Sequence, residues 1–267
     1  MKKISAFILS ILIIIPVFIG ILLLTSSSKN NYGAPPYIED EVETAQSDGK
    51  FGDLSKWVRP EGPLRVGLQV GHFKNNELPD ELSRLRETGG GTSNGSVAEW
   101  EVNLSIAQET KEILEKQGIV VDILPATIPP GYLADAVVAI HADGSLSSDK
   151  SGFKVVAPRR DMIGKAADLV KIIEEVYQKQ TNLEIDPNIT RNMTGYYAFN
   201  WRRYEYSIHP MAPAVILETG FLTNPSDASM LIHNPEKPAA ALAEALIIFL
   251  IKMDKKRSGH TRYPLHV

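Results

Sequence analysis

Residues 136–144 read AVVAIHADG, a short apolar run that ends at His141 and is followed by a turn. A second run at residues 64–70 reads LRVGLQV and is followed in the same way by Gly71 and His72. Short apolar runs rich in β-branched residues predict buried strands. In open α/β folds, ligands bind at the carboxyl ends of the parallel strands. We therefore expect both imidazoles to emerge at one edge of a parallel sheet.

Predicted strands alternate with predicted helices along the rest of the chain. The predicted strands are Arg65–Val70, Ile119–Leu124, Ala136–Ile140, Phe153–Ala157 at an edge, and Ala214–Leu217. The helices predicted from apolar periodicity are Val97–Lys116, Asp161–Gln178 and Ala239–Met253. The glycine-rich segment 89–95 predicts a mobile loop, and the aromatic segment Met193–His209 predicts a second loop. This order predicts an α/β fold, a three-layer sandwich around a mainly parallel sheet.

The amino terminus has the composition of a membrane-spanning helix. Two lysines precede the apolar stretch Ile4–Leu24, which is close to the roughly 20 residues needed to cross a bilayer. A cleaved secretory signal, the alternative, has a shorter apolar core and a small-x-small cleavage site. The positive-inside rule places the lysines in the cytoplasm and the rest of the chain outside the membrane. We expect a single-pass cell-membrane protein, with secretion after signal cleavage as the alternative.

Composition shifts divide the chain into four predicted segments. These are a transmembrane anchor at 1–25, a flexible linker at 26–63, a folded domain at 64–256 and a polar tail at 257–267. The linker contains Pro35-Pro36 and an acidic cluster and has no periodicity, which is typical of a solvated spacer. Within it, Trp57 and Val58 are candidates for docking onto the domain.

The overall composition narrows the possible functions. The chain has 267 residues and a formal net charge of -4, and without a basic patch we expect no nucleic-acid partner. It contains no cysteine. Disulfides and thiolate zinc sites are therefore excluded, and any metal must be held by histidine and carboxylate.

Four residues form the candidate site, and each follows a predicted strand or starts a predicted helix. They are His72, Glu99, His141 and Glu218. Catalytic zinc sites use three protein ligands, and two histidines with one glutamate are a known set. A separate carboxylate must then handle the proton of the attacking water. Taken singly, each residue has an ordinary structural explanation, but their order around one sheet edge favours a hydrolytic zinc site.

Glu99 has the strongest alternative explanation. Residues Ser96 to Glu99 fit a capping box, in which the glutamate bonds back to the amide at the start of the helix. A residue in the first helical turn also lies near the sheet edge, so the two roles are compatible. Glu101 is a rival for the metal, and the residues alone leave the choice between the two glutamates open.

Four motifs carry a resemblance to a known family. They are Gly71-His72, Glu99 with Asn103-Leu104, Ala139–Asp143, and the segment ETGFLTNP at 218–225. On these motifs the chain, from roughly Leu64 to Met253, resembles the zinc-dependent N-acetylmuramoyl-L-alanine amidases of amidase type 3. The resemblance implies that Zn2+ is bound by His72, Glu99 and His141, with Glu218 as the catalytic carboxylate. The chain departs from the family pattern at Phe73-Lys74, where members of the family usually have a pair of glycines.

The resemblance implies an enzyme that acts on peptidoglycan at the amide bond between N-acetylmuramic acid and L-alanine. One alternative is another extracytoplasmic zinc peptidase or amidase. A second is a catalytically silent cell-wall-binding protein with the same fold. The segment Met193–His209, with Tyr196, Tyr197 and His209, lies outside the common motif, and we leave it out of the predicted site.

Overall fold

Five strands form the central sheet of the computed structural model, which describes residues 50–258. They are β1 (Arg65–Val70), β2 (Val120–Leu124), β3 (Ala136–Asp143), β4 (Lys154–Val156) and β5 (Ala214–Phe221). Their order is β2-β1-β3-β5-β4, in which β4 alone runs antiparallel, at an edge of the sheet. The predicted α/β fold, the mainly parallel sheet and the edge position of the fourth strand are confirmed.

Long helices cover one face of the sheet and short segments cover the other. The helices are α1 (Ser83–Arg86), α2 (Glu99–Glu115), α3 (Ala166–Thr181), α4 (Arg191–Thr194), α5 (Pro225–His233) and α6 (Glu236–Ser258). The apolar sides of α2, α3 and α6 pack with the larger core on one face. The second core lies under loops and short helical turns, including residues 78–85 and 193–199. The third layer is therefore built from irregular segments instead of long helices.

Side chains alternate between the two faces along each strand, and this alternation positions the site. In β3, Val138 and Ile140 belong to the helix-side core, whereas Val137 and Ala139 belong to the second core. By the same alternation, His141 lies on the face of the second core. Its register partner on β5 is Glu218, so the two side chains are neighbours on one face.

Two strands extend further than the sequence predicted. Strand β3 continues through Asp143 and β5 continues through Phe221, so His141 and Glu218 lie within strands and not after them. The reason is that β3 and β5 keep pairing beyond their apolar runs, with a register shift between His141 and Asp143. Helix α3 starts later than predicted, because the Asp161 carboxylate accepts the Ala166 N–H from outside the helix at 2.7 Å.

The segment from Lys50 to Pro63, predicted as part of the linker, packs against the domain. The Arg59 guanidinium pairs with both carboxylate oxygens of Asp135 and donates to the Pro63 carbonyl at 2.8 Å. The ring of Trp57 lies 6.0 Å from that of His209, as expected for docking, whereas Val58 is 81% exposed and does not dock.

The predicted transmembrane anchor at 1–25 lies outside the described residues, as do linker residues 26–49 and tail residues 259–267. Across residues 50–258, no helix combines the length and the apolar character needed to cross a membrane. Residues 257 and 258, predicted to begin the tail, belong to α6.

Candidate active site

Three of the four predicted site residues meet at the carboxyl edge of the sheet. His72 follows β1, Glu99 is the first residue of α2, and His141 lies near the end of β3. One donor atom from each side chain lies within 4.8 Å of the other two. The side chains are only 11%, 3% and 10% exposed, respectively. The structure thus brings these three predicted residues together.

The Glu99 carboxylate lies between the two histidines. Its Oε1 is 2.9 Å from Nδ1 of His141 and accepts the Ala142 N–H at 3.2 Å. Its Oε2 is 3.5 Å from Nε2 of His72 and accepts the Thr92 N–H at 2.8 Å. Both oxygens are thus held by backbone amides, which orients the carboxylate and compensates its burial.

The predicted capping role of Glu99 is wrong, and Glu101 fills it. Because α2 begins at Glu99, its N-cap is Ala98 and the third helical position is Glu101. The Glu101 carboxylate accepts the Ala98 N–H at 2.8 Å, as in one half of a capping box. Glu101 is exposed and lies outside the group of three donors. Glu99 is thereby left free to turn toward the sheet edge.

Tight backbone turns bring the donors together. His72 has a φ of 63°, a left-handed conformation that non-glycine residues adopt rarely and that clusters at functional sites. A Cβ added at Gly71 would overlap the ring of His141, and one added at Gly91 would overlap Glu99 and His72. The glycine-rich segment that was predicted as a mobile loop thus packs directly against the site through Gly91 and Thr92.

Glu218 lies beside the three donors but is not one of them. It pairs in register with His141 on one side and with Lys154 on the other, and part of its surface stays open. Enclosure by the protein raises the pKa of Glu218 to about 8, with Asp143 and Glu99 adding to the rise. A carboxyl group with such a pKa can both hold and release a proton near neutral pH.

Burial and mutual contact set the charges of the three donors. Burial lowers the pKa of His72 to about 4, so its imidazole is neutral and keeps a lone pair. Burial raises the pKa of Glu99, but His72 and His141 outweigh this and leave it below its ordinary value. For His141, the carboxylate of Glu99 outweighs burial and raises the pKa. A neutral imidazole, a carboxylate and an imidazole that can exchange its proton for a metal fit Zn2+.

Three polar neighbours of the histidines were not predicted from the sequence. Nδ2 of Asn75 and the Thr88 hydroxyl each lie 3.3 Å from Nδ1 of His72, and the Tyr196 hydroxyl lies 3.1 Å from Nε2 of His141. The only sequence feature that pointed to Tyr196 was the number of aromatic residues in segment 193–209, and it does not show which of these rings faces the site. His209, which was left out of the site, packs instead against Phe51 at 4.6 Å between ring centroids.

The fold and the three converging donors place the chain among α/β enzymes equipped for hydrolysis. The sequence pattern of Amidase_3, N-acetylmuramoyl-L-alanine amidase, matches residues 66–247. That stretch is more than half of the chain, and the chain therefore belongs to the N-acetylmuramoyl-L-alanine amidase family. The expected family and the expected enzyme class, a peptidoglycan amidase, are confirmed.

Solved structures share this fold. The amidase Ami1 from Mycobacterium smegmatis has a TM-score of 0.52 at 17% identity, covering 70% of this chain and 96% of its own. Ami1 from Mycobacterium abscessus has a TM-score of 0.51 at 22% identity, covering 70% and 98%. The CwlD amidase from Clostridioides difficile, in complex with the GerS lipoprotein, has a TM-score of 0.50 at 20% identity, covering 70% and 98%. No curated protein matches this chain.

Proposed function

We propose that this chain is a zinc-dependent peptidoglycan amidase in which His72, Glu99 and His141 hold the ion and Glu218 transfers the proton. The observation that carries the proposal is the buried convergence of three donor atoms within 4.8 Å. In a chain without cysteine, two histidines and one glutamate form a known open catalytic zinc set. When bound, the ion would polarise the scissile carbonyl and activate a water molecule.

The protein's own residues supply the proton transfer and the orientation. Glu218 takes a proton from the attacking water, whose oxygen bonds to the lactyl carbonyl carbon of N-acetylmuramic acid. The carbon–nitrogen bond then breaks, and Glu218 delivers the proton to the leaving nitrogen of L-alanine. The position of Glu218 supports this role, because the side chain lies beside His141 in register without belonging to the donor group.

An open groove, lined in part by the residue that follows Thr92, offers room for a large substrate. It has a volume of about 560 Å³ and is lined by Ser93, Asn94, Ser145 and Leu222, among others. Ser93 directly follows Thr92, whose amide holds Glu99, and none of the three donors itself lines the groove. A mixed surface of hydroxyls and apolar groups, without a strong charge, suits a glycan carrying peptide stems.

Digestion of purified peptidoglycan by the zinc-loaded chain tests the proposal. Mass analysis should find free N-terminal L-alanine on the released stem peptides, and the Glu218→Gln variant should release far less. Cuts inside the peptide stems would instead support the alternative of a zinc peptidase. Release of no product at all, with binding retained, would support the catalytically silent wall-binding alternative.

We also propose that residues 1–25 anchor the catalytic domain to the outside of the cell membrane. The support is the apolar run Ile4–Leu24 behind two lysines. Because Arg59 fixes the end of the predicted linker to the domain, the spacer shortens to residues 26–49. A coil of about 24 residues has a root-mean-square reach of about 27 Å, which directs cleavage toward membrane-proximal wall.

Cell fractionation and sequencing of the mature amino terminus test the anchor. We expect a membrane-bound chain that retains residues 1–25. A soluble species that begins near Ser26 would establish the cleaved-signal alternative and would leave the amidase activity unaffected.

A further inference from the structure

Tyr196 contacts the metal-site histidine from the side opposite Glu99. Its Oη lies 3.1 Å from Nε2 of His141, while Nδ1 of the same ring lies 2.9 Å from Glu99. The tyrosine is 3% exposed, and its ring meets the imidazole edge-on with centroids 5.5 Å apart. Tyr196 belongs to the aromatic segment 193–209, to which the proposed function assigns no role.

A chain of buried hydrogen bonds continues from Tyr196 into the second core. The Tyr196 hydroxyl lies 3.0 Å from Oε1 of Gln69, and Nε2 of Gln69 lies 2.8 Å from the Tyr197 hydroxyl. The Tyr197 hydroxyl bonds in turn to the carbonyl of Ala126. Gln69 is fully buried, so these groups must satisfy one another within the protein.

The carbonyl at the end of this chain sets the direction of the hydrogen bonds made by Tyr197 and by the amide nitrogen of Gln69. The Ala126 oxygen can only accept, so the Tyr197 hydroxyl donates its one proton there. Tyr197 must then accept from Gln69, which turns the amide nitrogen of Gln69 toward Tyr197 and its oxygen toward Tyr196. A flipped amide would set its oxygen against the Ala126 carbonyl, 3.4 Å away. The present orientation is therefore the one that leaves no repulsive pair.

The direction of these hydrogen bonds also determines which ring nitrogen of His141 carries a proton. The Tyr196 hydroxyl donates its one proton to Oε1 of Gln69 at 3.0 Å, its shorter contact on that side, and keeps lone pairs for a donor on its other side. The neighbour on that side is Nε2 of His141, which must therefore carry a proton. When Nδ1 gives up its proton to a metal, its lone pair lies on the side of the ring that faces Glu99.

We infer that Tyr196 is a positioning residue that makes His141 bind zinc through Nδ1, an inference that rests on the proposed zinc site. The hydrogen-bond chain from Ala126 through Tyr197, Gln69 and Tyr196 fixes both the rotation of the His141 ring and its tautomer. Such outer partners of ligand histidines are known to orient the ring and raise its basicity.

His72 presents its other ring nitrogen, Nε2, to the site. The Thr88 hydroxyl donates to the Leu85 carbonyl at 2.7 Å and accepts from Nδ2 of Asn75 at 2.9 Å. Both Thr88 and Asn75 lie 3.3 Å from Nδ1 of His72. This leaves Nε2 of His72 facing Glu99. The two histidines therefore present different ring nitrogens to the same ion. The choice of the three ligand residues does not by itself determine which nitrogen of each ring binds.

Nitrogen NMR of the zinc-loaded full chain tests the inference directly. The chain is labelled with 15N in its histidine rings and purified in detergent. We expect His141 to show a metal-bound Nδ1 and a protonated Nε2, and His72 to show the reverse. Zinc bound to Nε2 of His141 would overturn the inference alone. Failure of the chain to bind zinc would overturn the proposed site as well.

The substitution Tyr196→Phe tests the positioning role. We expect the zinc dissociation constant, measured by competition with a chromophoric chelator, to rise by about 10- to 100-fold. The matched control is Tyr132→Phe, because Tyr132 also loses one hydrogen bond, to Asp122 at 2.7 Å, and should keep wild-type affinity. Wild-type affinity in Tyr196→Phe would contradict the inference. If that variant does not fold, the nitrogen spectrum of the unsubstituted chain still decides.

Discussion

A buried carboxylate organises the site at the scale of single residues. Glu99 is 3% exposed, and an ion so deeply buried is stable only when its oxygens are paired. Two backbone amides and two imidazoles surround it, and the Asn103 amide approaches Oε1 at 3.4 Å. Removing Glu99 would therefore unsettle both histidines, whereas Glu218 makes no such set of contacts and can change without disturbing them.

Substitution of Glu218 by glutamine should separate catalysis from metal binding. Glutamine keeps the size of the side chain and loses its ability to accept and return a proton. Because general acid–base catalysis contributes roughly 100- to 10,000-fold, we expect activity on peptidoglycan to fall in that range while zinc content stays at one equivalent. The measurement pairs product release with elemental analysis. Activity near the wild-type level would show that Glu218 does not transfer the proton.

All four predicted site residues were available from the sequence, and their supporting contacts were not. His72, His141 and Glu218 stand out because each follows an apolar run, and Glu99 stands out because it lies in the first turn of a predicted helix. Tyr196 touches His141 across 55 positions of sequence, from a segment without periodicity. No local pattern encodes such a contact, because it depends on how an irregular segment folds over the second core.

The start of helix α2 shows how an element assigns roles to neighbouring carboxylates. A shift of two residues between the predicted start at Val97 and the observed start at Glu99 moves the capping position to Glu101. The local sequence could not settle this shift, because Ser96 is also a good capping residue. Strands β3 and β5 also run past their apolar segments, since their mutual pairing continues there.

Paired substitutions in α2 should distinguish these two carboxylates. We expect Glu101→Gln to destabilise the folded state by about 1 kcal/mol or less, as for loss of part of a cap, and to leave zinc binding unchanged. Glu99→Gln should abolish retention of zinc after dialysis. Urea unfolding and elemental analysis measure the two effects. Loss of zinc in Glu101→Gln with retention in Glu99→Gln would reverse the assignment.

The edge strand β4 is held by a buried ion pair whose strength depends on pH. Nζ of Lys154 contacts the carboxylates of Asp143 and Asp186. Burial raises the pKa of Asp186, but hydrogen bonds from Lys154 and Asn188 outweigh it and leave the pKa below its ordinary value. A lowered pKa contributes stability above the unfolded-state value of about 3.9 and loses it as pH falls through the folded-state value.

Urea unfolding between pH 6 and pH 3 should reveal this contribution. The free energy of unfolding should fall as the pH drops below about 5 in the wild-type chain, and it should fall less steeply in Asp186→Asn. Both proteins are compared at equal ionic strength, because salt screens the charges. Identical slopes in the two proteins would show that Asp186 contributes nothing to the pH dependence.

At the scale of the whole molecule, the parallel sheet creates the site by bringing distant segments to one edge. Strands β1, β3 and β5 are neighbours in the sheet, and each carries one predicted residue in its carboxyl half or just beyond its end. The alternation of side chains then puts His141 and Glu218 on the same face. The sequence predicted this sheet edge because its strands are strongly apolar. It did not predict that loops and short turns, instead of long helices, cover the opposite face.

Anomalous diffraction at the zinc absorption edge, from crystals of the zinc-loaded protein, tests the central claim most directly. We expect one strong anomalous peak, at about 2.0–2.2 Å from a nitrogen of His72, a nitrogen of His141 and an oxygen of Glu99. Glu218 should lie outside bonding distance of the peak. A peak coordinated by Glu101 or Glu218, or the absence of any peak among the three donors, would contradict the account.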